Sequence, residues 1–135
     1  MEYRVPEKVS SFAFFKMVGE LNELIYLYKP DQILLDFSYT KRIDATAIPN
    51  LLFLGEYLKQ KTGNVPIIRL GEDIAAGYLK KYLAGIGFYR ISDEFYEYEN
   101  ERYGGFQGRD MDPKNATVYF LRSEKLENAR RIIYY

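Results

Sequence analysis

Two short apolar runs, ILLDF at 33–37 and VPIIRL at 65–70, lie on either side of a stretch with helical periodicity. Each run has the length of a strand. The stretch between them, residues 45–61, places Ile48, Leu51, Leu52, Leu54 and Leu58 at helical intervals. A second helical pattern precedes the first run, with Phe12, Phe15, Val18, Leu21, Ile25 and Tyr28 forming one stripe. A third follows the second run over 74–84, with Ile74, Tyr78, Leu79 and Tyr82 or Leu83 expected to face inward. Strand and helix therefore alternate through the first two-thirds of the chain. That order predicts an α/β fold with a mostly parallel central sheet and helical crossovers. Residues 33–37 and 65–70 should be neighbouring parallel strands. The unbroken apolar character of Ile33, Leu34 and Leu35 predicts a strand covered on both faces. Residues 3–9, interrupted by Pro6, read as a short edge strand, and 88–91 as a further one.

The punctuation supports these boundaries. Ser10 and Ser11 are good N-caps, and Lys29-Pro30-Asp31 stops the first helix. Asp44 stands where an N-cap belongs, and its carboxylate is expected to accept from the backbone N–H of Thr46 or Ala47. Pro49 falls in the first turn, where a missing N–H does least harm, and Gly63 provides an exit. Gly85 and Gly87 end the third helix. The composition changes after residue 92: 93–101 is acidic and aromatic, and 104–113 is a glycine- and aspartate-rich loop. A strand at 117–121 and a helix from Ser123 to Tyr135 follow. The division expected is one domain over 1–92 and an extension over 93–135. The extension stops mid-pattern on Ile132-Ile133-Tyr134-Tyr135, which suggests a link to a further domain downstream, although an apolar C-terminal docking helix would end in the same way.

Composition narrows the chemistry. Without cysteine or histidine the chain has no disulfide, thiolate nucleophile or imidazole base, and no Cys or His metal site. Nineteen basic residues against nineteen acidic ones argue against a nucleic-acid binder held mainly by charge. The N-terminus is charged and lacks the apolar core of a secretory signal. No apolar run approaches the ~20 residues of a membrane span. A cytoplasmic protein without cofactor, metal, nucleic-acid partner or membrane attachment is expected. Asp36 and Asp44, near the ends of successive elements, could pair as enzymatic acids, but capping and loop roles account for them without a tuned base nearby. The aromatic-acidic residues Phe95, Tyr96, Tyr98 and Tyr103 read as an edge strand with half-buried rings, or else as a partner surface.

RIDATAIPN, residues 42–50, places a carboxylate and a hydroxyl at the junction of strand and helix. With the apolar strand ending in Asp36, the Ile43-Asp44 pair and the glycine-closed helices that follow, the chain resembles a STAS domain over residues 1–92. This is the fold of bacterial anti-sigma-factor antagonists and of the cytoplasmic ends of sulfate transporters. The resemblance implies a non-enzymatic regulatory module that docks a protein through Asp44, Ala45, Thr46, Ala47, Ile48 and Pro49. Its implied partner is an ATP-binding kinase of the anti-sigma type, or an ATPase domain fused downstream. In such antagonists the hydroxyl residue that follows the aspartate is phosphorylated. Here that position is Ala45, which has no oxygen, and Thr46 is the hydroxyl that remains. A different expectation from the same junction is a small-ligand or nucleotide sensor, using the helix N-terminus at Asp44 to Ala47.

Overall fold

The computed structural model describes residues 1–100 and 102. The expected strand at 117–121, the loop at 104–113 and the final helix lie outside the described residues, as does Tyr103. Over the described part the chain is α/β, with a four-stranded sheet in the order β1 (Glu2–Arg4), β3 (Leu34–Phe37), β5 (Ile67–Leu70) and β6 (Glu97–Tyr98). Every pairing in it is parallel. Leu34 stands opposite Ile67 and Phe37 opposite Leu70, so the two apolar runs are neighbouring parallel strands. The intervening helix is α2 (Ile48–Thr62). The segment around Pro6 is divided. After β1 the chain forms β2 (Lys8–Val9), which pairs in parallel with β4 (Arg42–Ile43) as a separate two-stranded ladder.

The helices α1 (Ser11–Tyr28) and α3 (Ile74–Gly85) begin where their caps predict. Ser10 Oγ accepts from the Ala13 N–H at 3.1 Å, and Asp73 Oδ1 accepts from the Ala76 N–H at 2.7 Å. Lys29 closes α1 in the left-handed region, φ 45°, and Pro30 then prevents continuation. Gly63, φ 84°, closes α2, with Lys59 and Lys61 in its last turn beside the negative end of the helix dipole.

Four expectations need correction. The inward face of α1 is Phe14, Met17 and Leu21, whereas Phe12, Phe15 and Tyr28 are exposed. The helix carries apolar residues on two sides. The stripe read from the sequence is right at Leu21, and at Val18 and Ile25, which pack partly buried against the core, but fails at Phe12, Phe15 and Tyr28. In α3 the buried residues include Ala76, Leu79 and Leu83, while Ile74 and Tyr78 lie in solvent and Tyr82 is partly exposed. Residues 88–91 are not a strand but belong to the short helix α4 (Phe88–Ser92), entered through Gly87 at φ 78°. Phe88, Tyr89, Ile91 and Ser92 are all buried, and an apolar run of that length has no periodicity to separate strand from helix. Finally, β3 alternates between buried and partly exposed residues rather than being covered on both faces.

The same alternation continues in β5, which gives the sheet two unlike faces. Tyr3, Leu35, Phe37, Ile68 and Leu70 point into the core. On the other face Arg69 bridges the strands. Its Nη2 lies 2.9 Å from Glu2 Oε1, its Nε lies 2.5 Å from Glu99 Oε2, and its Nη1 lies 3.9 Å from Asp36 Oδ2. The hydrogen bonds from Arg69, together with its charge, hold the Glu2 carboxyl below the usual range.

The core is centred on α2. Ile48 through Gly55, with Tyr57 and Leu58, are all buried, so this helix is enclosed around its circumference over its first eleven residues except at Glu56. Gly55 makes the enclosure possible. A Cβ there would lie 2.8 Å from the Phe95 carbonyl oxygen and 2.9 Å from Tyr96 Cε2. The buried Tyr96 hydroxyl donates to the Leu51 carbonyl of the same helix.

Candidate functional site

The β2–β4 ladder determines what stands at the junction named by RIDATAIPN. Its two strands run in parallel and each leads directly into a helical segment. After Val9 come the Ser10 cap and α1; after Ile43 come Asp44 and a 3-10 turn, Ala45–Ala47. The Asp44 N–H donates to the Val9 carbonyl at 2.9 Å, so the two segments start side by side. Ser11 Oγ and Thr46 Oγ1 consequently meet at 3.0 Å on the surface.

The carboxylate of Asp44 does not cap. Asp44 is extended, φ −66° and ψ 143°, and its side chain makes no cap hydrogen bond. Its backbone carbonyl instead accepts from the Ala47 N–H at 2.9 Å. The 3-10 turn thereby supplies, from the main chain, the acceptor that the carboxylate was expected to provide. α2 begins only at Ile48, after Ala47, which has no side-chain oxygen. The Asp44 carboxylate lies 4.0 Å from Arg42 Nε, both side chains being well exposed. Asp44→Ala should therefore change the unfolding free energy by less than about 0.5 kcal/mol, the range of an ordinary surface substitution. Chemical denaturation of the two proteins side by side checks this. A loss near 1 kcal/mol would restore the capping role.

Of the other candidate residues, Ala45 and Thr46 are exposed, whereas Ala47, Ile48 and Pro49 are buried at the root of α2. The accessible part of the junction is thus Asp44, Ala45 and Thr46. Asp36 does not join it. Its Oδ1 accepts from the Ser38 N–H at 3.0 Å, and its Oδ2 faces Arg69 on the open side of the sheet. Tyr96 is buried, while Phe95 and Tyr98 are half-buried and pack against the core.

The neighbour of this turn that sequence reasoning missed is α3. Tyr82 stands close enough to Asp44 that the carboxylate, after partial burial, helps to push its phenol above the usual tyrosine range. Tyr82 continues an outward line through Tyr78 and Ile74, at intervals of four residues. Ile74 is 85% and Tyr78 73% exposed, so the line is a solvent-facing apolar stripe. A signal for it was present in the sequence. Gly77 and Gly85 share the helix with these residues, and a Cβ at either would meet open space.

A cleft of about 430 Å³ lies at the C-terminal ends of β1 and β3 and the start of α3, lined among others by Arg4, Tyr39, Thr40, Lys41 and Asp73. None of Asp44 to Pro49 lines it. Its polar groups engage one another. The Thr40 hydroxyl donates to the Pro6 carbonyl at 2.9 Å, Lys41 Nζ lies 3.5 Å from Glu7, and the Arg4 guanidinium lies 3.8 Å over the Tyr39 ring. Among the described residues no helix is long and apolar enough to cross a membrane. Comparison with models of known protein families, with curated proteins and with solved structures found no match.

Proposed function

We propose that the chain is a regulatory interaction module of the STAS, anti-sigma-factor-antagonist type. It binds a protein partner through the turn at Asp44, Ala45 and Thr46 together with the outward stripe of α3. What supports this reading is that Tyr82, the end of the exposed α3 line through Ile74 and Tyr78, feels the charge of Asp44 on the turn, and that an exposed apolar line of this kind marks interaction surfaces. The resemblance of residues 1–92 to STAS domains names the partner class, an ATP-binding kinase of the anti-sigma type or an ATPase domain of the same protein. No reaction is assigned to the module itself. Ala45 gives such a kinase no oxygen, and Thr46 already shares its hydroxyl with Ser11. The contact is therefore gated by the partner and not by phosphate on the turn.

Calorimetric titration against a kinase of this class tests the proposal. Tyr78→Glu and Tyr82→Glu should each weaken binding at least about tenfold, because a carboxylate must be desolvated at the contact. Ala45→Asp should weaken it for the same reason, and Thr46→Ala should change it little. Tight binding that ignores the tyrosine substitutions defeats the surface. A stoichiometric phosphate on Thr46 after incubation with ATP, seen by intact mass, defeats the absence of a switch.

The cavity between β1, β3 and α3 is what favours a small-ligand sensor as the second reading, since parallel sheets bind ligands beyond the carboxyl ends of their strands. It moves the sensor site away from the helix N-terminus at Asp44 to Ala47. A melting screen with nucleotides distinguishes the two, because a ligand at 100 times its Kd adds about 2.7 kcal/mol.

A further inference from the structure

Helix α1 has an outer apolar line that nothing among the described residues covers. Phe12, Phe15, Gly19 and Tyr26 follow one another at intervals of three, four and seven residues, opposite the buried Phe14, Met17 and Leu21. Phe12 is 80% and Tyr26 79% exposed, and a Cβ on Gly19 would meet open space. A helix that is apolar on both sides normally has a neighbour on both.

We propose that this face pairs with the same face of a second copy, the two α1 helices running antiparallel about a two-fold axis at Gly19. The pattern of the line is self-complementary, as a two-fold contact requires. Phe12 and Tyr26 lie seven residues to either side of Gly19, so each ring of one protomer lies opposite the unlike ring of its partner. Lys16 and Glu23, both exposed, stand three residues before and four after Gly19 on the same edge of the line. The antiparallel arrangement therefore sets Lys16 beside Glu23 twice. A parallel arrangement would carry the two residues to opposite edges of the seam and form neither pair, so the charge pattern favours the antiparallel one. At the centre Gly19 lets the two backbones approach at the short end of helix spacings, about 8 Å. The pairing does not depend on the partner proposed above.

An interface built on one helix of eighteen residues is small, so the dimer should dissociate in the range of ~10–100 µM. Sedimentation equilibrium of the 135-residue chain from micromolar to near-millimolar concentration reads this directly. Phe12→Ser and Tyr26→Ser should give monomers at every concentration with unchanged circular dichroism, since both side chains are exposed in the protomer. Lys16→Glu and Glu23→Lys should each weaken association about tenfold, and the double exchange should restore it, an outcome that a merely general loss of apolar surface would not give. Because the chain lacks cysteine, Gly19→Cys offers a second readout: mild oxidation should link two copies rapidly through residue 19. A chain that stays monomeric at near-millimolar concentration overturns the proposal. So does a dimer indifferent to Phe12 and Tyr26, or a charge exchange that fails to recover association.

Discussion

Phe14→Ala should lower the stability of the chain by about 4 kcal/mol, one of the two largest effects expected of single substitutions here. Phe14 is fully buried on the inner side of α1, and its ring meets Phe15 edge-on with 6.2 Å between centroids. Truncation removes the transfer free energy of a benzyl group and leaves a void that a helix held at both caps cannot collapse to fill. The change should appear as a lower denaturant midpoint at unchanged slope. Phe12→Ala, two residues earlier, should move the midpoint by less than about 0.5 kcal/mol when measured on the monomer. Equal losses at the two positions would mean that α1 is rotated from the orientation described.

That contrast also shows where the sequence was legible. The strands at 33–37 and 65–70 and the exit of α2 were legible because proline and glycine bracket short apolar runs, and no other element fits between them. The orientation of α1 was not. Phe12, Phe15 and Tyr26 give it a second apolar side as regular as the first, and periodicity does not rank two regular faces. The outward stripe of α3 was misassigned to the core for the same reason. The Asp44 junction was legible as a place and not as a geometry. Whether a carboxylate or a main-chain carbonyl meets the Ala47 N–H depends on a 3-10 turn that shifts the start of α2 by three residues, within the ordinary uncertainty of helix ends.

The second large effect concerns Gly55. Gly55→Val should cost about 3 kcal/mol, because the new carbons enter space held by the Phe95 carbonyl, the Phe95 Cβ and the Tyr96 ring. The Phe95 carbonyl belongs to the main chain, which cannot swing aside as a long side chain could. Relief requires the segment at 95–96 to lift from α2, and this would also draw the Tyr96 hydroxyl away from the Leu51 carbonyl. Gly77→Ala is the matching control. That residue is also inside a helix, but its Cβ meets open space, so the gain in helix propensity should stabilise by about 0.5–1 kcal/mol. Thermal unfolding of the three proteins compares them, and similar shifts at both positions would rule out the close approach at Gly55.

The strand order of the sheet carries one consequence for biogenesis. Read from edge to edge, the sheet follows the order in which its strands leave the ribosome: β1, β3, β5, then β6. Among the described residues no strand has to be threaded between two that are already paired, so each can be added to an existing margin as the nascent chain lengthens. Until residues 95–99 emerge, β5 is a bare edge able to pair with a neighbouring chain, and the flank of α2 at Gly55 is open to water. Glu97 and Tyr98 then close the edge, and Glu99, which donates its N–H to the Ile68 carbonyl, brings its carboxylate to Arg69. A nascent chain stalled just before this point would be the species most prone to aggregate.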